Sequence, residues 1–143
     1  MYSSYKIKMK LMYAVVLALV TFAFVGCSKD KDEPIQTGGS IDAAVGTYKG
    51  KLDLSNTTGP MFDKIVTVTK VSDNTLKVEI GDKALKIPTK EFKVINNMNV
   101  SIQTAGVSPE GTFLFVVKNK TLLCQGEKTS ATEVFYTFEG TKQ

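Results

Sequence analysis

Ile65-Val66-Thr67-Val68-Thr69-Lys70-Val71-Ser72-Asp73-Asn74-Thr75-Leu76-Lys77-Val78-Glu79-Ile80 decides the fold of this chain. Its first five residues are all β-branched. Such side chains suit a pleated surface and lose rotamer freedom against the preceding turn of a helix. Leu76, Val78 and Ile80 then alternate with Lys77 and Glu79, the two-residue period of a strand with one buried face. Between the runs lies Ser72-Asp73-Asn74, whose short polar side chains hydrogen-bond their own backbone and favour turns. Strand, tight turn, strand is the expected reading.

The same pattern extends outward in both directions. Upstream, Tyr48, Leu52 and Leu54 share one face, with Thr47, Lys49, Lys51 and Asp53 opposite. Gly50 falls on the apolar face, where it permits a bend or a close approach. Downstream, Gly81-Asp82-Lys83 reads as a turn, and Leu85 and Ile87 alternate with Lys86 until Pro88 ends or edges that strand. Phe92 and Val94 alternate with Glu91 and Lys93. Asn96-Asn97 reads as a turn, followed by Met98, Val100 and Ile102 alternating with Asn99, Ser101 and Gln103. Thr104 to Gly111 contains Gly106 and Pro109 and reads as a loop. Phe113, Phe115 and Val117 share a face, while Leu114 and Val116 make the other face apolar too. Lys118-Asn119-Lys120 turns the chain into Thr121 to Gln125, and Val134, Tyr136 and Phe138 alternate in the last strand. Eight or nine short strands with short connections and no helical period predict an all-β domain. The expected form is an antiparallel up-and-down barrel or sandwich of about eight strands, each paired with its sequence neighbour.

The first twenty-six residues follow different rules. Lys6, Lys8 and Lys10 precede the apolar run Leu11 to Val25, broken only by Thr21, and Gly26 is the small residue before Cys27. This is the layout of a secretory signal. As a helix the run spans about 22 Å at about 1.5 Å per residue, whereas a bilayer core needs about 20 apolar residues. Met1 and Met9 are alternative starts, since Met9 also precedes Lys10 and the whole run. Val25-Gly26-Cys27 resembles the last three positions of a lipobox, with Phe24 where leucine is usual. Ser28-Lys29-Asp30-Lys31-Asp32-Glu33 resembles the charged export signal of Bacteroidota surface lipoproteins, with lysines set among the acids.

That resemblance implies cleavage before Cys27, diacylglycerol on its sulfur and a fatty acyl group on its new amine. Each buried CH₂ contributes about 0.8 kcal/mol, so three chains make membrane attachment effectively permanent. The implied location is the outer membrane, lipid-anchored and facing the cell surface, with the periplasmic face as the alternative. The chain then divides into a signal peptide (1–26), a lipidated tether (27–44) and an all-β domain (45–143). Pro34, Thr37, Gly38, Gly39 and Ser40 give the tether the composition of a flexible coil.

A second resemblance covers most of the domain. Val45-Gly46-Thr47-Tyr48-Lys49-Gly50, Ile65 to Lys70 followed by Ser72-Asp73-Asn74-Thr75, and Phe138-Glu139-Gly140-Thr141 are similar to calycin-like and lipocalin-like lipoprotein domains. Tyr48 stands where the lipocalin Gly-x-Trp has tryptophan, and the chain has no arginine to pack on it. The resemblance implies a calycin-like barrel and brings little mechanism with it.

Composition narrows the chemistry. The leader holds three of the eighteen basic residues and none of the fourteen acids, so the chain after residue 26 carries +1 rather than +4. No basic patch argues for nucleic acid. All the basic residues are lysine, so the planar fork that recognises phosphate, carboxylate or guanine is missing. Histidine is absent, which removes Ser-His-Asp and Cys-His catalysis and His-based metal sites. With Cys27 lipidated, Cys124 has no cysteine to bond with. It follows Leu122 and Leu123 and reads as a buried thiol packed like a small hydrophobe. Asp53, Asp63, Asp73, Glu79, Glu91, Glu133 and Glu139 fall on polar faces or in turns, where solvated charge is expected. No calcium loop or phosphate loop is present.

The sequence therefore predicts no catalytic residue, no metal and no cofactor; the one assigned site is the lipid anchor Cys27. Phe113, Phe115, Tyr136 and Phe138 read as core, or as the wall of an apolar cavity if the barrel is wide. The expected function is a lipid-anchored, noncatalytic cell-envelope binding protein for a small apolar ligand. The alternative is a structural or inhibitory accessory lipoprotein acting through protein or glycan contacts. Ser55 to Met61 and Thr104 to Gly111 are the expected recognition rims, because loops on a rigid sheet carry binding.

Overall fold

Closure of the sheet is the fact from which the rest follows. The computed structural model describes residues 39–143. Eight strands follow one another: β1 (Gly46–Leu54), β2 (Met61–Ser72), β3 (Thr75–Ile80), β4 (Lys90–Asn97), β5 (Ser101–Thr104), β6 (Gly111–Val116), β7 (Thr121–Gly126) and β8 (Tyr136–Lys142). Each pairs antiparallel with the next, and β8 returns to β1 in a register running from Tyr48↔Lys142 to Leu54↔Tyr136. The result is an up-and-down barrel, not a sandwich, and it leaves no sheet edge unpaired. The deciding hairpin forms as read, with Val68 opposite Val78 and Val66 opposite Ile80. The barrel can close because glycines face each other at the seam. A Cβ on Gly50 would stand 2.1 Å from the Glu139 carbonyl oxygen and 2.4 Å from the Gly140 Cα.

The alternation becomes an inside and an outside. Tyr48, Leu52, Val66, Val68, Leu76, Phe92, Ile102, Leu122, Cys124, Tyr136 and Phe138 all point inward and have no exposed surface. Their side chains pack on one another as a single core. The interior is filled by side chains, as in small barrels generally.

Three local expectations change. No strand forms at Leu85 and Ile87. Lys83–Leu85 is a 3₁₀ turn, the Asp82 carboxylate accepts from the Ala84 N–H at 3.2 Å, and Lys86 is left-handed at φ 51°. Two apolar residues are too short a run to override that turn, and both pack on the core from a loop. The turn expected at Asn96-Asn97 falls at 98–100 instead. Asn96 is buried; its Oδ1 accepts from the Asn99 N–H at 2.7 Å, and its Nδ2 donates to Asn99 Oδ1 at 2.9 Å and to the Ser40 carbonyl at 2.7 Å. Met98 and Asn99 take left-handed conformations (φ 50° and 59°), so Met98 and Val100 leave the sheet and face solvent. Residues 39–44, read as the end of the tether, lie against the barrel. Ile41 and Ala44 are buried there, and Asp42–Ala44 forms a 3₁₀ turn. They are apolar residues beside an open barrel end, so burying them covers that end.

The meander sorts its connections by length. Those at the end where the chain enters are short: 73–74, 98–100 and 117–120. Those at the opposite end are long: 55–60, 81–89, 105–110 and 127–135. We call these the proximal and distal ends.

Candidate functional site

The distal mouth is built around a lysine that points the wrong way for its charge. Lys90 opens β4 on the same face as Phe92 and Val94, so its stem lies among apolar side chains and it is only 3% exposed. A buried ammonium is tolerated only when paired and hydrogen-bonded. Its Nζ meets Glu133 Oε2 at 2.7 Å and Glu110 Oε2 at 3.1 Å, and donates to Thr129 Oγ1 at 3.0 Å. Glu133 also accepts from the Thr129 N–H at 3.0 Å and from its hydroxyl at 2.9 Å. Three separate stretches of chain thus converge on one ammonium: the start of β4, the end of the 105–110 loop and the 127–135 loop.

Electrostatics say what this cluster can do. Burial works against the Lys90 charge, but Glu133 and Glu110 outweigh it and hold the ammonium above the usual lysine range. Lys90 chiefly, then the Thr129 N–H and hydroxyl, pull Glu133 down to about 2. An amine nucleophile must be neutral and a carboxylic general acid must carry a proton at working pH; Lys90 is held charged and Glu133 ionised. The cluster is a clamp on the distal loops.

Beneath it, Cys124 Sγ and Tyr136 Oη stand 3.9 Å apart. Burial pushes the thiol up to about 12, with the Tyr136 hydrogen bond acting against that rise. Tyr136 is likewise held above the usual tyrosine range, by burial first and then by Cys124 and Glu110. Gly126 makes room for that ring, since a Cβ there would lie 2.1 Å from it. Cys124 is buried and protonated, as its apolar sequence context implies.

The two expected rims fall at the same end of the barrel. Residues 55–60 and 105–110 both lie at the distal end, although Met61 belongs to β2. Apolar side chains stand out among them. Val107 is fully exposed, and Phe62 is 68% exposed because β2 carries an extra residue opposite Gly50/Leu52, with Asp63 left-handed at φ 57° and paired to Lys49 at 2.9 Å. Glu91 lies exposed on β4 and Asp53 half-buried on the outer face of β1. Four of the carboxylates meet surface lysines: Asp63 with Lys49, Asp73 with Lys70, Glu79 with Lys83 and Glu139 with Lys51. Glu133 is the exception, drawn inward by Lys90. The aromatic set Phe113, Phe115, Tyr136 and Phe138 is core, while Leu114 and Val116 join Leu123 around a shallow outer depression of about 240 Å³.

The proximal end is sealed by different chemistry. Tyr48 Oη donates to the Ala44 carbonyl at 2.7 Å, and its ring meets Phe115 edge-on with centroids 5.9 Å apart. Lys142 Nζ donates to the Ala43 carbonyl at 2.8 Å and lies 6.0 Å from the Phe115 centroid. The chain has no arginine to cover this aromatic pair, and a lysine does so instead.

Sequence reasoning passed over Lys90 and Glu110. The signal for Lys90 was in the alternation itself, which sets it on the face of Phe92 and Val94. Cys27, the signal peptide and residues 27–38 of the tether lie outside the described residues. Among the described residues, no group of carboxylates and cysteine is arranged to hold a metal ion, and no helix is long and apolar enough to cross a membrane. No protein-family model, curated protein or solved structure matches the chain.

Proposed function

We propose that this is a lipid-anchored, noncatalytic cell-envelope protein that binds a protein or glycan partner with its distal loops. The observation that carries the reading is the asymmetry of a filled barrel. The chain enters at one end, and all four long connections lie at the other, with two of them clamped by Lys90. An anchor at Cys27 would turn those loops away from the bilayer. Recognition by loops on a rigid sheet needs little reordering on binding. The outward Phe62 and Val107 supply the apolar contacts that such a surface uses.

A small apolar ligand inside the barrel is the weaker reading, because the inward side chains already occupy that space. The noncatalytic part of the reading is supported by the lack of histidine and arginine and by a clamp whose lysine is held charged. A photo-crosslinking residue at Val107 should capture a defined partner on intact cells, and one at Lys77, on the barrel wall, should not. Equal capture at both positions would contradict recognition by the distal loops. Labelled palmitate should enter the wild type and not Cys27→Ala; equal labelling would remove the anchor.

A further inference from the structure

We propose that the proximal end of the barrel is a membrane-docking surface, with Met98, Val100 and Val71 entering the head-group region of an anionic lipid layer and Lys118 and Lys120 facing its phosphates. The proposal rests on the lipid anchor at Cys27 and goes beyond it, because an anchor alone sets no orientation for the domain. Met98 is 65% exposed, Val100 64% and Val71 51%, all at the end where the chain enters. A single apolar residue on a surface needs no explanation; three at one end of the barrel are what the docking draws on.

The turn that carries two of them is held to the entering chain. The Asn96 amide bonds both Asn99 and the Ser40 carbonyl, so 98–100 and residue 40 stay side by side. Left-handed backbone at a large non-glycine residue is uncommon, and here it turns Met98 outward. Neither the 98–100 turn nor the 117–120 turn contains an acid. Of the nearby acids, Asp42 and Asp73 are both engaged by Lys70, at 2.9 and 3.3 Å. Lysines 118 and 120 are exposed and can lay their stems along apolar surface while their ammonium groups meet phosphate.

Tether length makes so small a patch sufficient. Eleven residues, 28–38, lie between Cys27 and Gly39. That length of chain reaches at most about 40 Å. Docking is then an intramolecular step at an effective concentration of about millimolar, so weak contacts bias the orientation.

The test uses the full lipidated chain in vesicles of zwitterionic lipid with an anionic fraction. Met98→Cys and Val107→Cys are each labelled with an environment-sensitive dye; both positions are exposed, and buried Cys124 does not compete. The dye at position 98 should shift to the blue and be several-fold less accessible to aqueous iodide than the dye at 107. Changing Lys118 and Lys120 to Glu should remove that difference. Equal iodide access at 98 and 107, in protein that floats with the vesicles, overturns the docking and leaves the anchor standing. Protein that does not float overturns the anchor, and the docking with it.

Discussion

The two ends of this barrel solve the same problem with opposite chemistry. Each must cover the open end of a filled cylinder. The proximal end uses short turns, the buried residues Ile41 and Ala44, and hydrogen bonds from Tyr48, Lys142 and Asn96 to the entering backbone. The distal end uses four long loops and a buried ammonium shared by two carboxylates. The apolar part of the proximal plug draws its stability from packing, and its titratable pair, Asp42 with Lys70, lies on the surface. An ion cluster costs desolvation and returns position rather than net stability. The difference shows why long loops can sit on a small barrel without loosening it: the clamp orders two of them from within.

Several changes would break or sharpen this contrast. The largest effect is expected from Tyr48→Ala, which removes a buried ring from the proximal seal; about 3–5 kcal/mol should be lost in chemical denaturation. Lys90→Ala should cost less, about 1–3 kcal/mol, because it leaves two partly hydrated carboxylates unpaired. Hydrogen exchange should then rise across 105–110 and 127–135 and stay unchanged at 39–44. Acceleration at both ends would mean that the clamp stabilises the whole barrel rather than its mouth. Tyr48→Phe keeps the ring and deletes only the bond to Ala44, so about 1 kcal/mol is expected, read as a small fall in Tm.

Acid should distinguish the ends most selectively. Glu133 has a folded value near 2 against an unfolded value of about 4.3. Its contribution is therefore complete above about pH 4.5 and disappears as pH falls through 2. Lys90 is raised, so its contribution is complete below about pH 10.4 and is lost as pH rises through the folded value. Distal-loop exchange should quicken between about pH 4 and 2, and this step should vanish in Lys90→Met. Persistence of the step in that variant would place its origin elsewhere.

How much was legible varied with distance along the chain. The 65–80 hairpin could be read because its signals are local: β-branched runs, a two-residue period and an Asp-Asn turn. Closure could not, since β1 and β8 meet across most of the domain and only facing glycines at positions 50 and 140 hint at the seam. Alternation failed at Leu85 and Ile87, where two residues carry too little period to outweigh a capped turn. It also failed at Met98, where Asn96 displaced the turn through side-chain bonds that propensity does not contain. At the candidate site, the inward lysine was visible as a residue out of place. Its partners were not, because Glu110 and Glu133 lie 20 and 43 residues downstream and converge only once the barrel closes.

Native mass spectrometry of the protein purified from its own envelopes tests the central claim most directly, that a solid barrel hangs from an acylated cysteine and recognises partners on its outside. The predicted species begins at Cys27, carries the acyl chains and holds no small molecule in its interior. A leader still attached, or a stoichiometric apolar ligand retained after desolvation, would contradict the account.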